Sequence, residues 1–224
     1  MSGTEERPRV AMILAAGRGE RMRPLTDTTP KPLLRVRGRT LIERHVSALV
    51  RAGIGDITIN LAWLGSQIRD YLGDGSGFGA RIRYSEESPQ ALETAGGIIR
   101  ALPNLSPGPF AVVNGDVYSD FPFETLGIGP ALEAQLVLVP NPPQHPDGDF
   151  GLTQGLATAD GSPRFTFSGI AVYRLPFFDG CQDGVRRLKP LWVECMGRRR
   201  CGGQLYEGRW EDVGTPERLE ALNG

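Results

Sequence analysis

The chain has 224 residues, 40% hydrophobic and 23% charged, with a formal net charge of -1. That length suits one α/β domain with a substantial core and is short for a second. The balanced charge gives no reason to expect a nucleic-acid partner, although a small phosphorylated ligand needs only a local positive patch.

No apolar run approaches the ~20 residues that span a membrane, so no membrane partner is expected. Residues 1–9 (MSGTEERPR) are charged, lack the apolar stretch of a signal peptide, and read as a flexible leader to a domain over residues 10–224. A cytoplasmic location is the expectation. Cys181, Cys195 and Cys201 include no C-x-x-C pair and read as free thiols of a reducing compartment.

The first element is Val10–Leu14, a continuous apolar run of the kind covered on both faces in a parallel sheet. Leu41 to Ala52 carries apolar residues at helical spacing, and Gly53 follows as a helix stop. A strand at Asp56–Asn60, a helix at Gly65–Leu72 and a strand at Ala80–Tyr84 come next. A helix at Thr94–Ala101, a strand at Pro109–Asn114, a helix at Leu126–Ala134 and a strand at Ala134–Val139 continue the alternation. Such alternation predicts right-handed crossovers and a Rossmann-like, mostly parallel mixed sheet flanked by helices. Pro140 to Phe150 holds four prolines and reads as a loop that closes over a ligand. Phe165–Tyr173 and Gly203–Val213 are β-like, with a terminal helix at Thr215–Leu222. The fold class is α/β, with antiparallel additions late in the chain.

Three stretches carry chemistry. After the first strand, Gly17-Arg18-Gly19-Glu20-Arg21-Met22-Arg23 and Thr29-Pro30-Lys31-Pro32-Leu33 join backbone N–H groups to four cationic side chains, Arg18, Arg21, Arg23 and Lys31. Such a turn cradles phosphate, and arginine grips phosphate with paired hydrogen bonds. The spacing matches neither the Walker loop nor the G-x-G-x-x-G fingerprint, since Met22 stands where a third glycine is needed. Asn114-Gly115-Asp116 ends a strand, where ligands bind in open α/β sheets, and a carboxylate there suits magnesium. Asp212-Val213-Gly214-Thr215-Pro216 ends another strand and starts a helix, with Thr215 as N-cap and Pro216 at the first helical position.

Together these stretches resemble the sugar-1-phosphate nucleotidyltransferases, which carry L-A-A-G-x-G-[TE]-R-[ML]-x-P-L-T, P-K-P-L, a G-D strand end and a late D-[VI]-G-T-P. Here these are Leu14 to Thr26, Pro30 to Leu33, Asn114 to Val117 and Asp212 to Pro216. Asn60 to Gly65, Leu92 to Ile98, Gly148 to Phe150 and Thr166 to Ile170 are similar to the muramate-type uridylyltransferases of cell-wall recycling. Mannose-1-phosphate guanylyltransferases share parts of them.

The resemblance implies that a sugar phosphate oxygen attacks the α-phosphorus of a nucleoside triphosphate, UTP in the muramate-type branch, and that pyrophosphate leaves. Magnesium is implied on Asp116 and Asp212. Arg18 and the N–H groups of Gly17 to Arg21 (with Gly19 and Glu20) hold the β- and γ-phosphates, and Lys31 neutralises the leaving oxygen. The base lies between Leu14-Ala15-Ala16-Gly17 and the segment before Gly96, with Gln90 or Glu93 reading its edge. Glu93 reads equally well as a first-turn charge favoured by the helix dipole. Asn114 touches both substrates, and Asp149 and Gly169 face the sugar. A lysine that many relatives carry after the strand near Val139 is missing, and Arg187 or Lys189 supplies its charge or is simply solvated. His45 falls on an apolar helix stripe, and His145 on the proline-rich loop faces solvent or substrate. Trp63 and Phe78 read as core residues, and Trp210 as core or cavity lining. The rival readings are another base and hexose phosphate, a cytidylyltransferase, or a sensor that binds without turnover.

Overall fold

Alternate residues of the first strand serve two cores. In the computed structural model, which describes residues 4–87, 91–105 and 107–224, Val10–Leu14 forms β1. Ala11 and Ile13 enter one apolar layer with Ile42, Val46 and Ile59. Met12 enters the other with Ile98, Phe110 and Leu136. A strand buried on both faces needs the unbroken apolar run seen in the sequence.

A two-residue hairpin, β2 (Arg35–Val36) and β3 (Arg39–Thr40), leads into α1 (Leu41–Arg51). Thr40 caps α1 by accepting a hydrogen bond from the Glu43 N–H at 3.2 Å. Then come β4 (Asp56–Leu61), α2 (Gly65–Leu72), β5 (Arg81–Glu86), α3 (Glu93–Ala101), β6 (Phe110–Asn114) and β7 (Val117–Ser119). The later half runs β8 (Ala134–Val139), β9 (Phe150–Thr153), β10 (Leu156–Thr158), β11 (Arg164–Tyr173), α4 (Lys189–Gly197), β12 (Cys201–Leu205), β13 (Trp210–Asp212) and α5 (Pro216–Asn223). Thr215 caps α5, with Pro216 in its first turn as the sequence predicts.

The nine-stranded sheet has the order β5-β4-β1-β6-β11-β8-β12-β10-β9. Its first four strands are parallel, so the carboxyl ends of β1, β4, β5 and β6 emerge on one edge. β11 runs antiparallel to β6 and β8, and β9 pairs with both β10 and the start of β11, curling the far end of the sheet. Among the described residues no helix is long and apolar enough to cross a membrane.

Four expectations change. Residues 126–133 form no helix: the stretch is broken by Gly127, Gly129 and Pro130, and Ile128 instead pairs with Glu6 through bonds of 3.0 and 2.9 Å. That pairing, with the Glu6–Arg174 ion pair at 2.7 Å, docks Glu6 within what reads as a free leader. The hairpin β9–β10 forms within a stretch that shows no strand in the sequence, as does α4, which buries Trp192, Cys195 and Met196. The β-like stretch 203–213 divides between β12 and β13.

Candidate active site

The parallel edge opens into a cavity of about 750 Å³ lined by strand ends and by the loop after β1. Of the residues singled out in the sequence, Leu14, Ala15, Ala16, Gly17, Gly19, Glu20, Arg21, Lys31, Glu93, Asn114 and Asp116 lie on its wall. The loop from Ala15 to Leu34 is wound by three short 3₁₀ turns, and the Thr26 hydroxyl pins it by donating to the Gly19 carbonyl at 2.8 Å. Lys31, only 7% exposed, donates from Nζ to Asp116 Oδ2 at 2.6 Å. This buried side chain ties the loop after β1 to the end of β6.

Arg18 is not on the cavity wall. Its guanidinium lies 4.5 Å from the centre of the Trp63 ring, and the Trp63 indole N–H donates to the Thr26 carbonyl at 3.0 Å. Gln67 adds a bond to the Thr28 carbonyl at 2.9 Å. The segment from β4 into α2 therefore grips the outer side of the loop, and Trp63 is a loop clamp instead of the core residue expected.

Two buried polar groups given no role in the sequence reading, Asn60 and Glu87, also line the cavity. Asn60 Oδ1 accepts from the Ala15 N–H at 2.7 Å and Asn60 Nδ2 donates to Glu87 Oε1 at 2.6 Å. Glu87 Oε2 accepts from the Leu92 N–H at 2.8 Å. Asn60 belongs to β4 and Glu87 directly follows β5, so both occupy the same edge as Asn114. Extending the strand-end rule to every parallel strand finds them.

β7 and β13 pair antiparallel, with Asp212 opposite Val117, and the Val213 N–H donates to the Asp116 carbonyl at 3.2 Å. This ribbon brings the two sequence-distant aspartates onto the wall of one small cavity. Asp212 Oδ2 meets Arg218 Nη1 at 3.0 Å. Among the described residues no group of three or more His, Cys, Asp or Glu gathers as a metal site; Asp116 and Asp212 are a pair. Behind them, burial pulls the His45 ring down to about 4, against a Val117 backbone hydrogen bond and the Asp116 charge, which both favour its charged form. His45 is a neutral core residue, as its helical position predicts.

A second cavity of about 270 Å³ shares Arg21, Asn114 and Asp116 with the first and adds Asp212, Gly169, Trp210, Gln144 and His145. Gly169 sits at φ +81° in an irregularity of β11, and a Cβ there would lie 2.8 Å from Asn114 Nδ2. Only glycine leaves room for the Asn114 side chain this close to the β11 backbone. Trp210 is fixed by its indole N–H donating to the Ser168 carbonyl at 2.7 Å. Asp149 stands behind the wall, accepting from the Phe167 N–H at 2.9 Å and facing His145 Nε2 at 3.2 Å.

Two further expectations shift, and a third is untested. Gly96 is absent from the cavity wall: a Cβ on it would meet the Gly184 carbonyl oxygen at 2.2 Å, so its small size admits the chain at 184 and not a base. Arg187 is 81% exposed and faces Glu93 at 3.7 Å, on the side of the large cavity and not the small one. Gln90 lies outside the described residues.

The nucleotidyl transferase family profile matches residues 10–162. An N-acetylmuramate alpha-1-phosphate uridylyltransferase from Neisseria meningitidis serogroup B is 52% identical over 94% of this chain and 95% of its own length. One from Caulobacter vibrioides is 32% identical over 94% and 93%. In structure, HddC from Yersinia pseudotuberculosis superposes with a TM-score of 0.76 at 18% identity, covering 96% of this chain and 97% of that one. At that identity the likeness concerns the fold alone.

Proposed function

The chain belongs to the nucleotidyl transferase family, and on that premise we propose that it transfers the uridylyl group of UTP to N-acetylmuramate α-1-phosphate, giving a UDP-sugar and pyrophosphate. The observation that carries this is the meeting of a large and a small cavity at Arg21, Asn114 and Asp116. A nucleotide fills the first and a sugar phosphate the second, so the reacting phosphates face each other at the junction.

In the reaction, a phosphate oxygen of the sugar forms a bond to the α-phosphorus, and the bond from that phosphorus to the bridging oxygen breaks. The nucleophile is already an anion at neutral pH, so no general base is required. That agrees with a site whose wall carries cations and carboxylates, with His45 neutral and buried. Catalysis is positioning and charge neutralisation. Lys31 and Arg21 meet the phosphates with charge, the Gly17–Arg21 N–H groups add dipoles, and Arg18 closes from Trp63 onto the leaving pyrophosphate.

Magnesium is part of the same proposal. The donor set fits: two neighbouring carboxylates, with Lys31 on Oδ2 of Asp116 and Arg218 on Oδ2 of Asp212, match a hard cation that also takes phosphate oxygens and water. When bound, it supplies charge neutralisation to the phosphates.

Glu87 suits a base with a ring N–H. A carboxylate with both oxygens turned to N–H donors keeps lone pairs to accept one more N–H. Uracil offers N3–H, as guanine offers N1–H, whereas the N3 of cytosine is an acceptor and meets repulsion; the choice of uracil over guanine rests on the relatives. Cytoplasmic location and a place in cell-wall recycling follow as parts of this reading.

The test uses UTP labelled in turn at the α- and γ-phosphorus. The α label is expected in the sugar nucleotide and the γ label in pyrophosphate. Release of the α label as free UMP would make the protein a hydrolase and overturn the reading.

A further inference from the structure

We propose that residues 183–187 are a fixed strap over the nucleotide cavity, and that Val185 on it covers an apolar face of the bound nucleoside. The proposal rests on reading the large cavity as the nucleotide site.

The strap is fastened along its length. The Arg186 N–H donates to the Leu92 carbonyl at 2.9 Å, and the Arg186 carbonyl accepts from the N–H groups of Ala95 at 3.0 Å and Gly96 at 3.2 Å. These last two donors lie in the opening turn of α3, where backbone N–H groups lack partners within the helix. The Arg186 carbonyl thus caps α3 from another part of the chain. Ion pairs flank the strap at Arg100–Asp183, 3.0 Å, and Arg187–Glu93, 3.7 Å. Gly96 is what allows the fit, since any Cβ there would collide with the Gly184 carbonyl oxygen and stand 3.3 Å from the Arg186 nitrogen.

Between these anchors Val185 is 56% exposed, yet it shares the wall of the large cavity with Leu14, Ala15 and Ala91. A lone exposed valine is ordinary on a protein surface. This one is held at a cavity wall by backbone bonds on the next residue and cannot withdraw into the core. The strap is also in register with the polar end of the cavity, because Leu92 bonds Glu87 through its N–H and Arg186 through its carbonyl. One residue therefore sets both the acceptor for the base edge and the apolar cover.

The test measures binding of UTP and of inorganic pyrophosphate by calorimetry, in magnesium buffer, for wild type, Val185→Ser and Val185→Leu. Val185→Ser is expected to weaken UTP binding about fivefold, the factor for losing the burial of half a valine side chain. Pyrophosphate, which has no base or ribose, binds all three alike, and Val185→Leu retains UTP affinity. Unchanged UTP affinity in Val185→Ser overturns the strap proposal, as does equal weakening of UTP and pyrophosphate, which would mean general distortion. Wild type that binds pyrophosphate but not UTP refutes the uridylyl reading itself, a result distinct from either.

Discussion

The buried His45 makes folding stability depend on pH in a way that can be worked out. Its ring titrates near 4 in the folded protein against 6.5 unfolded, chiefly because burial disfavours the charged form. Between those values the unfolded chain binds the proton more readily, so acid favours unfolding. The full contribution is present above pH 6.5 and is lost as pH falls toward 4. At pH 5 the two titrations differ by about 2 kcal/mol, and once both forms are protonated by about 3 kcal/mol. Urea unfolding of wild type and His45→Gln at pH 7.5, 6 and 5 isolates the effect, because the carboxylates they share cancel in the difference. Wild type should lose about 2 kcal/mol more than the variant between pH 7.5 and 5. Parallel curves for the two proteins would refute a neutral buried His45.

Other substitutions probe the site. Lys31→Met removes the buried ammonium at 2.6 Å from Asp116 and should lower kcat by about 10²–10³ in steady-state assays; a near-normal kcat would remove Lys31 from the mechanism. Glu87→Gln turns an amide NH₂ toward a donor at either Asn60 or Leu92. It should raise the KM for UTP about tenfold and lower unfolding stability by about 1–3 kcal/mol. Trp63→Leu takes away both the face under Arg18 and the donor to Thr26. The KM for UTP should rise about tenfold with the sugar-phosphate KM unchanged, and Trp63→Phe should recover part of the loss because the ring face remains.

Much of the fold is legible because the parallel half obeys local rules. β1 is read from an unbroken apolar run, α1 from its stripe and the Gly53 stop, and α5 from Thr215 and Pro216. The later half is harder. Leu126, Ile128 and Leu132 suggest a helix, but Ile128 finds its partner in Glu6, over a hundred residues away. α4 shows helical spacing at Leu188, Trp192, Cys195 and Met196, hidden by the proline at its start.

The site divides in the same manner. Loop residues such as Arg21 and Lys31 declare themselves by charge packed near glycine, and Asp116 by its strand end. Asn60 and Glu87 share the strand-end position of Asp116 but are uncharged or without glycine beside them, and Val185 reaches the cavity only through the strap. Gly96 shows how a correctly noted small residue can serve a different neighbour from the one expected: it faces the Gly184 carbonyl.

Pyrophosphate release from purified protein, with and without magnesium, across UTP, GTP, CTP and dTTP against N-acetylmuramate 1-phosphate and mannose 1-phosphate, tests the central claim most directly. Magnesium-dependent turnover confined to UTP with N-acetylmuramate 1-phosphate is the predicted result. Selective turnover of GTP with mannose 1-phosphate, or no turnover of any pair by protein that binds nucleotide, would contradict it.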